Sequence, residues 1–376
     1  MKVAANCGAP DSLADGRNPL HTYPMVLLLA SALAAVVARV SALDTTDNPA
    51  SPSPSAPQIV HRTRAFAQLS GGYLTYRIPS LVAAADGKTL IAAAEGRGPQ
   101  GRGPPVGNVS LCWGQLASLY DWQCYSKDIV LRRSVDGGET FDDLEVIAES
   151  NHTVLYTNPL LLLDETTTRL WLAYVRCPVP PGAPPGRSVF QDCTQLVRMS
   201  ANHGGSWSAE REIEGSYPQS DGGVGSGLQL ASGGSHGGRL LFPRNGKGAL
   251  ISDNHGESWR LGQPLPHGGE SQAAQLRNGS VVMQMRDQDH RYDYVWCISN
   301  DGGESFGSSC TQHTAPLVPD VPTSVLRLGD ALLFSHPNSD VLPCPLGRKN
   351  MTVSMSRDGN GEEWRDVLQV FVRPAA

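Results

Sequence analysis

Several arginines and carboxylates stand where a charged side chain calls for a partner, and one of these settings suits the holding of an anion. Arg77 lies in Thr75-Tyr76-Arg77-Ile78-Pro79-Ser80-Leu81, an extended run rich in small and apolar neighbours. Burying a guanidinium there without a partner is costly. The segment therefore reads either as a structural ion pair or as a clamp for a substrate carboxylate, which the planar guanidinium fork meets with two parallel hydrogen bonds. Arg97 closes Ala92-Ala93-Ala94-Glu95-Gly96-Arg97, with Glu95 placed to orient it. Arg286 ends an apolar strand-like run over 281–286 that follows a hairpin marked by Asn278-Gly279, and Glu270 lies 16 residues before it across that hairpin. Arg348 opens the run 348–353. Solvated strand-end arginines and a plain surface glutamate are the competing readings.

These residues must be held by a scaffold, and a repeat supplies one. Ser134-Val-Asp-Gly-Gly-Glu-Thr-Phe141 recurs as Ser200-Ala-Asn-His-Gly-Gly-Ser-Trp207, Ser252-Asp-Asn-His-Gly-Glu-Ser-Trp259 and Ser299-Asn-Asp-Gly-Gly-Glu-Ser-Phe306. A fifth copy, Ser356-Arg-Asp-Gly-Asn-Gly-Glu-Glu-Trp364, carries one extra residue. In Ser-x-Asp/Asn-x-Gly-x-x-aromatic, the Asp or Asn binds backbone amides of a tight turn and Gly supplies a positive φ. The Ser adds a local bond and the aromatic plugs beneath the hairpin. Strand-like runs precede the copies at 129–131, 195–199, 294–298 and 351–355, and copies begin 47 to 66 residues apart, about one four-stranded propeller blade each. Asp136, Asn202, Asn254, Asp301 and Asp358 are accordingly expected to be turn residues without chemistry. The regular carboxylate ladder of a calcium loop is absent.

Composition agrees. The 376 residues include 40 Gly and 28 Pro, are 40% hydrophobic and only 18% charged, which excludes coiled coils and disordered chains and suits many short strands. A net charge of -6 argues against a nucleic-acid partner. An apolar run over 24–38, followed by Val40-Ser41-Ala42, predicts a signal peptide over 1–42, with an uncleaved anchor as the alternative. Residues 43–58 form a Pro/Ser-rich linker and 59–376 the propeller. Eight cysteines, among them the near neighbours Cys112/Cys124, Cys177/Cys193 and Cys297/Cys310, predict loop-stapling disulfides with Cys344 left over and show no zinc spacing. Sequons at Asn108, Asn151, Asn278 and Asn350 predict a glycoprotein.

The five repeats are Asp boxes, and downstream of Tyr76-Arg77-Ile78-Pro79 they make residues 66–372 resemble the sialidase family, most closely its animal lysosomal type. The resemblance implies an all-β, six-bladed β-propeller and an exo-α-sialidase acting on sialylated glycans without metal or organic cofactor. In that reading Arg77, Arg286 and Arg348 converge on the substrate carboxylate and Arg97 assists. Glu270 activates a tyrosine nucleophile, and a loop aspartate protonates the leaving group, with Asp121 preferred and Asp128 the alternative. A neutral nucleophile suits an anionic sugar acid better than a carboxylate would. The matching tyrosine would fall just past Ala376, and Tyr294 is the last in the chain, while Tyr292 and Tyr294 have no motif support. The expectation is an incomplete last blade and weak or no turnover, with an inactive sialoglycan-binding propeller as the alternative. The resemblance further implies a secretory-pathway location, lysosomal or extracellular. It leaves open membrane association through a glycolipid substrate or the anchor, and a carboxypeptidase partner.

Overall fold

The computed structural model describes residues 61–99, 127–151, 153–179, 192–213, 223–246, 248–265, 269–286, 294–307, 310–313, 321–338 and 350–371. These residues form twenty strands in five four-stranded antiparallel sheets and no helix. Blade 1 comprises β1 (Tyr73–Ala83), β2 (Leu90–Pro99), β3 (Lys127–Ser134) and β4 (Glu145–Ala148). Blade 2 comprises β5 (Val154–Asp164), β6 (Arg169–Pro178), β7 (Thr194–Ser200) and β8 (Arg211–Glu212). Blade 3 comprises β9 (Leu228–Gln229), β10 (Leu240–Arg244), β11 (Gly248–Ser252) and β12 (Arg260–Leu261). Blade 4 comprises β13 (Ser271–Gln275), β14 (Val281–Arg286), β15 (Tyr294–Ser299) and β16 (Thr311–His313). Blade 5 comprises β17 (Ser324–Leu328), β18 (Ala331–Pro337), β19 (Met351–Ser356) and β20 (Arg365–Phe371).

Each sheet runs in simple sequence order, and successive blades meet through their inner strands, β1 against β5, β5 against β9, β10 against β13 and β13 against β17. This is the β-propeller the repeats imply, with five blades among the described residues. Side-chain alternation explains the stacking. Val281, Met283 and Met285 pack with Leu241 and Ile251 of blade 3, whereas the intervening Val282 packs with Leu332 and Phe334 of blade 5. Every sheet with a neighbour on both sides is therefore apolar on both faces.

The Asp boxes join the third strand of each blade to the fourth, and their turn bonds are those expected. The Ser134 Oγ accepts the Gly138 amide at 2.8 Å, and Ser200, Ser252 and Ser299 repeat the bond to Gly204, Gly256 and Gly303 at 2.9, 2.8 and 2.7 Å. Each box also reaches backwards. Trp207 packs into the seam between blades 1 and 2, Trp259 between 2 and 3, Phe306 between 3 and 4, and Trp364 between 4 and 5. The box glycine must approach closely too: Gly204 has φ 76°, and a Cβ there would lie 2.7 Å from Ile91 of the preceding blade. By the same rule Phe141 of blade 1 points to a preceding blade, but there it meets a cluster built from blade 1 and the Ala65-Phe66 segment. The opposite face of blade 5 carries Leu333 and Val353 in a cluster drawn only from β17–β20.

The disulfides Cys177–Cys193 and Cys297–Cys310 form as expected, tying β6 to β7 and β15 to β16. Cys112, Cys124, Cys344 and the signal and linker segments lie outside the described residues.

Candidate functional site

In each antiparallel blade the first strand begins, the second ends and the third begins at the same end, opposite the Asp boxes. Tyr73–Arg77 of β1, Glu95 and Arg97 of β2, and Lys127 and Asp128 of β3 gather there in blade 1, and Glu270 and Arg286 do so in blade 4. Two matching bulges shape this end. The pairing of β1 shifts between Arg77 and Ser80, with Ile78 at φ 50°, and that of β5 shifts between Thr157 and Leu160, with Asn158 at φ 55°. Both positive-φ residues precede a proline, in Tyr76-Arg77-Ile78-Pro79 and Tyr156-Thr157-Asn158-Pro159. A β-branched Ile in the left-handed region is strained, and such strain persists only where the surroundings enforce it.

Glu95 is the centre of a buried charge cluster. Its Oε2 accepts Arg97 Nε at 2.8 Å, Lys127 Nζ lies 3.8 Å away, and its Oε1 accepts the Asn158 amide at 3.0 Å and the Thr157 hydroxyl. Glu95 is fully buried, and Arg97 and Lys127 are only 6% and 2% exposed. Burial alone would push the carboxyl upward, but Arg97, then Lys127 and the hydrogen bonds from blade 2, outweigh it and hold it at about 2. Glu95 therefore stays ionised and fixes Arg97. Arg77, facing Glu95 in the strand register, completes a cationic corner.

In blade 4 the spacing of 16 residues resolves into contact. Glu270 Oε2 accepts Arg286 Nη1 at 2.7 Å, while the Arg286 amide donates to the Glu270 carbonyl at 2.9 Å. Both side chains are about a quarter exposed, at 26% and 21%, and so reachable by a ligand. Backbone links connect this pair to the Glu95 cluster. Asn158 Nδ2 donates to the Gly223 carbonyl at 3.1 Å, and the neighbouring Val224 amide donates to the carbonyl of Ser271, which follows Glu270. Among the described residues at this end of the first three strands of blades 1, 3 and 4, Arg77, Arg97, Lys127, Arg244 and Arg286 outnumber Glu95, Asp128 and Glu270. That balance suits an anion.

The two aspartates separate. Asp121 and Arg348 lie outside the described residues. Asp128 is in β3, 1% exposed, accepting the Tyr73 hydroxyl at 2.6 Å and the Ser150 amide at 2.8 Å. Such a carboxylate braces the strand ends and is closed to a leaving group. Tyr294 is 1% exposed in the seam between blades 4 and 5, stacked on His313 at 5.2 Å, and burial pushes its hydroxyl well above the ordinary tyrosine range. It is no nucleophile for this site.

Sequence reasoning missed Lys127, Thr157, Asn158 and Arg244. Setting Tyr156-Thr-Asn-Pro159 beside Tyr76-Arg-Ile-Pro79 was the available signal for Thr157 and Asn158. Arg244 ends β10 as Arg286 ends β14, and it is 1% exposed with its carbonyl accepting the Ser271 hydroxyl at 3.0 Å. Position within a blade, which no local motif encodes, was the signal for it.

Comparison with known proteins follows the same lines. The family model described as BNR repeat-like domain matches residues 125–374. A sialidase of Micromonospora viridifaciens is 28% identical over 334 residues, covering 80% of this chain and 46% of the relative. The Hadza microbial sialidase superposes with a TM-score of 0.62 at 21% identity, over 80% of this chain and 60% of that one. A leech intramolecular trans-sialidase, solved with 2,7-anhydro-Neu5Ac, superposes with a TM-score of 0.60 at 17% identity, over 82% and 62%. The chain thus spans about half the length of the curated relative and under two thirds of these two structures.

Proposed function

The chain belongs to the BNR repeat-like domain family, and from that premise we propose that it recognises the carboxylate of a terminal sialic acid at the end of the propeller opposite the Asp boxes. Arg77, Arg286 and Arg348 are the proposed clamp, and Arg97 is the proposed adjoining cation, held in place by Glu95. The observation that carries the reading is the partly exposed Glu270–Arg286 pair, 2.7 Å apart, at the same end of the ring as the buried Glu95–Arg97–Lys127 cluster. An arginine held by a glutamate keeps a fixed fork and retains donors for a substrate oxygen.

The finer proposal is retaining exo-sialidase chemistry. In it Asp121 protonates the glycosidic oxygen, and a tyrosine made nucleophilic by Glu270 takes the anomeric carbon before water releases the sugar. In this reading the tyrosine comes from a further blade packed on the face of blade 5 whose Leu333 and Val353, among the described residues, pack within their own sheet. A sialoglycan-binding propeller without turnover is the second reading. It is favoured by the pairing of Glu270 with Arg286 among the described residues. Animal-lysosomal character, a secretory location and release of sialic acid from glycoproteins or glycolipids belong to the same proposal, as does a carboxypeptidase partner. The disulfides Cys177–Cys193 and Cys297–Cys310 favour an oxidising compartment.

Differential scanning fluorimetry with a 2,3-didehydro sialic acid, run beside a fluorogenic aryl sialoside assay, tests both parts. Saturating ligand should raise Tm in the wild type by a few degrees, consistent with a stabilisation of about 3 kcal/mol at a hundredfold excess over Kd. Arg286→Ala should abolish the shift. No shift in the wild type overturns recognition, whereas a shift without hydrolysis selects the binding reading over the enzyme.

A further inference from the structure

The Asp-box end carries a second feature, unrelated to the cationic site. Between blades 3 and 4 lies a cavity of about 320 Å³, bounded by the β9–β10 connection, the β13–β14 turn and the Asp box of blade 4. It is lined by His236, Gln275, Asn278, Ser280 and Asn300 together with Leu230 and Ala231. No carboxylate, ammonium or guanidinium lines it among the described residues. Its volume falls at the lower end of small-ligand sites, about 300–1,000 Å³, and amides, hydroxyls and an imidazole with few apolar neighbours suit a neutral, hydroxyl-rich ligand.

One wall residue is itself an attachment point for such a ligand. Asn278-Gly279-Ser280 is a sequon. Asn278 is exposed at the turn tip, and its Oδ1 accepts the Ser280 amide at 3.0 Å and the Ser280 hydroxyl at 2.6 Å. Among the described residues no hydrogen bond uses its Nδ2, the atom to which a glycan is joined. Gln275 holds the cavity's shape, its Oε1 accepting the Ala231 amide at 2.8 Å and its Nε2 donating to the Gly279 carbonyl at 3.2 Å. The Asn350 sequon differs. That residue is half-buried at φ 54°, and Thr352 donates its hydroxyl to the Asn350 carbonyl at 2.9 Å.

We propose that Asn278 carries an N-linked glycan whose first sugars seat in this cavity and close the lower end of the seam between blades 3 and 4. The glycan comes from a lipid-linked oligosaccharide pyrophosphate. Asn278 Nδ2 bonds to the anomeric carbon of the first N-acetylhexosamine, and the bond from that carbon to the pyrophosphate oxygen breaks. The lipid pyrophosphate departs with the electron pair, and Nδ2 gives up one proton. Transfer occurs on the nascent chain, and folding then brings the sugar to the cavity.

The test is expression of the full chain in a eukaryotic secretory host and peptide mapping after treatment with peptide N-glycosidase in heavy-oxygen water. Deamidation marked by the heavy isotope should appear at position 278. Its release from native protein should be at least roughly tenfold slower than from denatured protein, because the enzyme reaches a seated sugar only after local opening. The wild type should also melt higher than Asn278→Gln made in the same host. The two should melt closer together when both are made under an inhibitor of lipid-linked oligosaccharide synthesis, which separates the sugar from the loss of the turn. An unmodified peptide at 278, or equal release from native and denatured protein, overturns the proposal.

Discussion

At the Asp-box end of the blades the same local hydrogen bonds recur in four turns and, with one residue inserted, in a fifth, each closed within about eight residues of chain. At the opposite end, among the described residues, the blades share only fragments of a pattern, such as the arginines that end β10 and β14. There Glu95 of blade 1 is held by Arg97 and Lys127 of its own blade and by Thr157 and Asn158 of the next, more than sixty residues away. The contrast teaches a division of labour. Turns that only need to fold can be repeated, because their energetics are local. A binding surface has to be assembled from positions that are neighbours in no other sense than their place on a strand.

The largest expected effect tests whether the repeat's stability lies in its turns or in its plugs. Trp259 meets Phe242 at 5.3 Å and Trp171 at 5.6 Å in the seam between blades 2 and 3. Trp259→Ala should cost about 3–5 kcal/mol, as emptying a large aromatic site does, read as a fall in the urea midpoint. A loss near that of a turn mutation would show that the seam does not depend on its plug.

Next comes the charge cluster. Glu95→Gln keeps the shape of the side chain but leaves Arg97 and Lys127 buried with no carboxylate between them, a change expected to cost on the order of 3 kcal/mol. The pH dependence separates this from simple misfit. Glu95 is held at about 2 against an ordinary 4.5, so its contribution is present above about 4.5 and is lost as pH falls towards 2. Wild-type stability measured by chemical denaturation should therefore drop through that window. The drop should be shallower in Glu95→Gln, and parallel curves would remove Glu95 from the account of acid stability.

The same division explains what could be read in advance. The Asp boxes, the runs that precede four of them, the two disulfides and the placing of Glu270 and Arg286 across one hairpin were legible because each depends on residues close in sequence, whereas the ion pair between those two side chains was not read. The third strand of blade 3, Gly248–Ser252, has no strong β pattern of its own and became visible only through its box. Arg97 was legible as a partner of Glu95, but Lys127 and Asn158 were not, since the first reaches Glu95 through the pairing of β3 with β2 and the second through the register of one blade against the next. The direction of the box aromatics was half-read. They do lie beneath their hairpins, but what they fill is the seam with the preceding blade, a fact that requires the ring.

The smallest expected effect is at the repeat itself. The Ser252 hydroxyl accepts the buried Gly256 amide at 2.8 Å and donates to Asn254 Oδ1 at 3.0 Å, and Asn254 Oδ1 also takes the Ser258 amide at 2.9 Å. Ser252→Ala leaves the buried Gly256 amide without its acceptor while Asn254 continues to hold the turn, so the loss should be about 2 kcal/mol, the cost of one unsatisfied buried donor. Because each box is closed by its own short loop, Ser200→Ala in the preceding blade should add to it independently. A double mutant assayed by thermal denaturation should then lie within about 0.5 kcal/mol of the sum. A coupling well beyond that would mean that neighbouring boxes communicate through the seam their aromatics share, and that the regular end of the molecule is as cooperative as the irregular one.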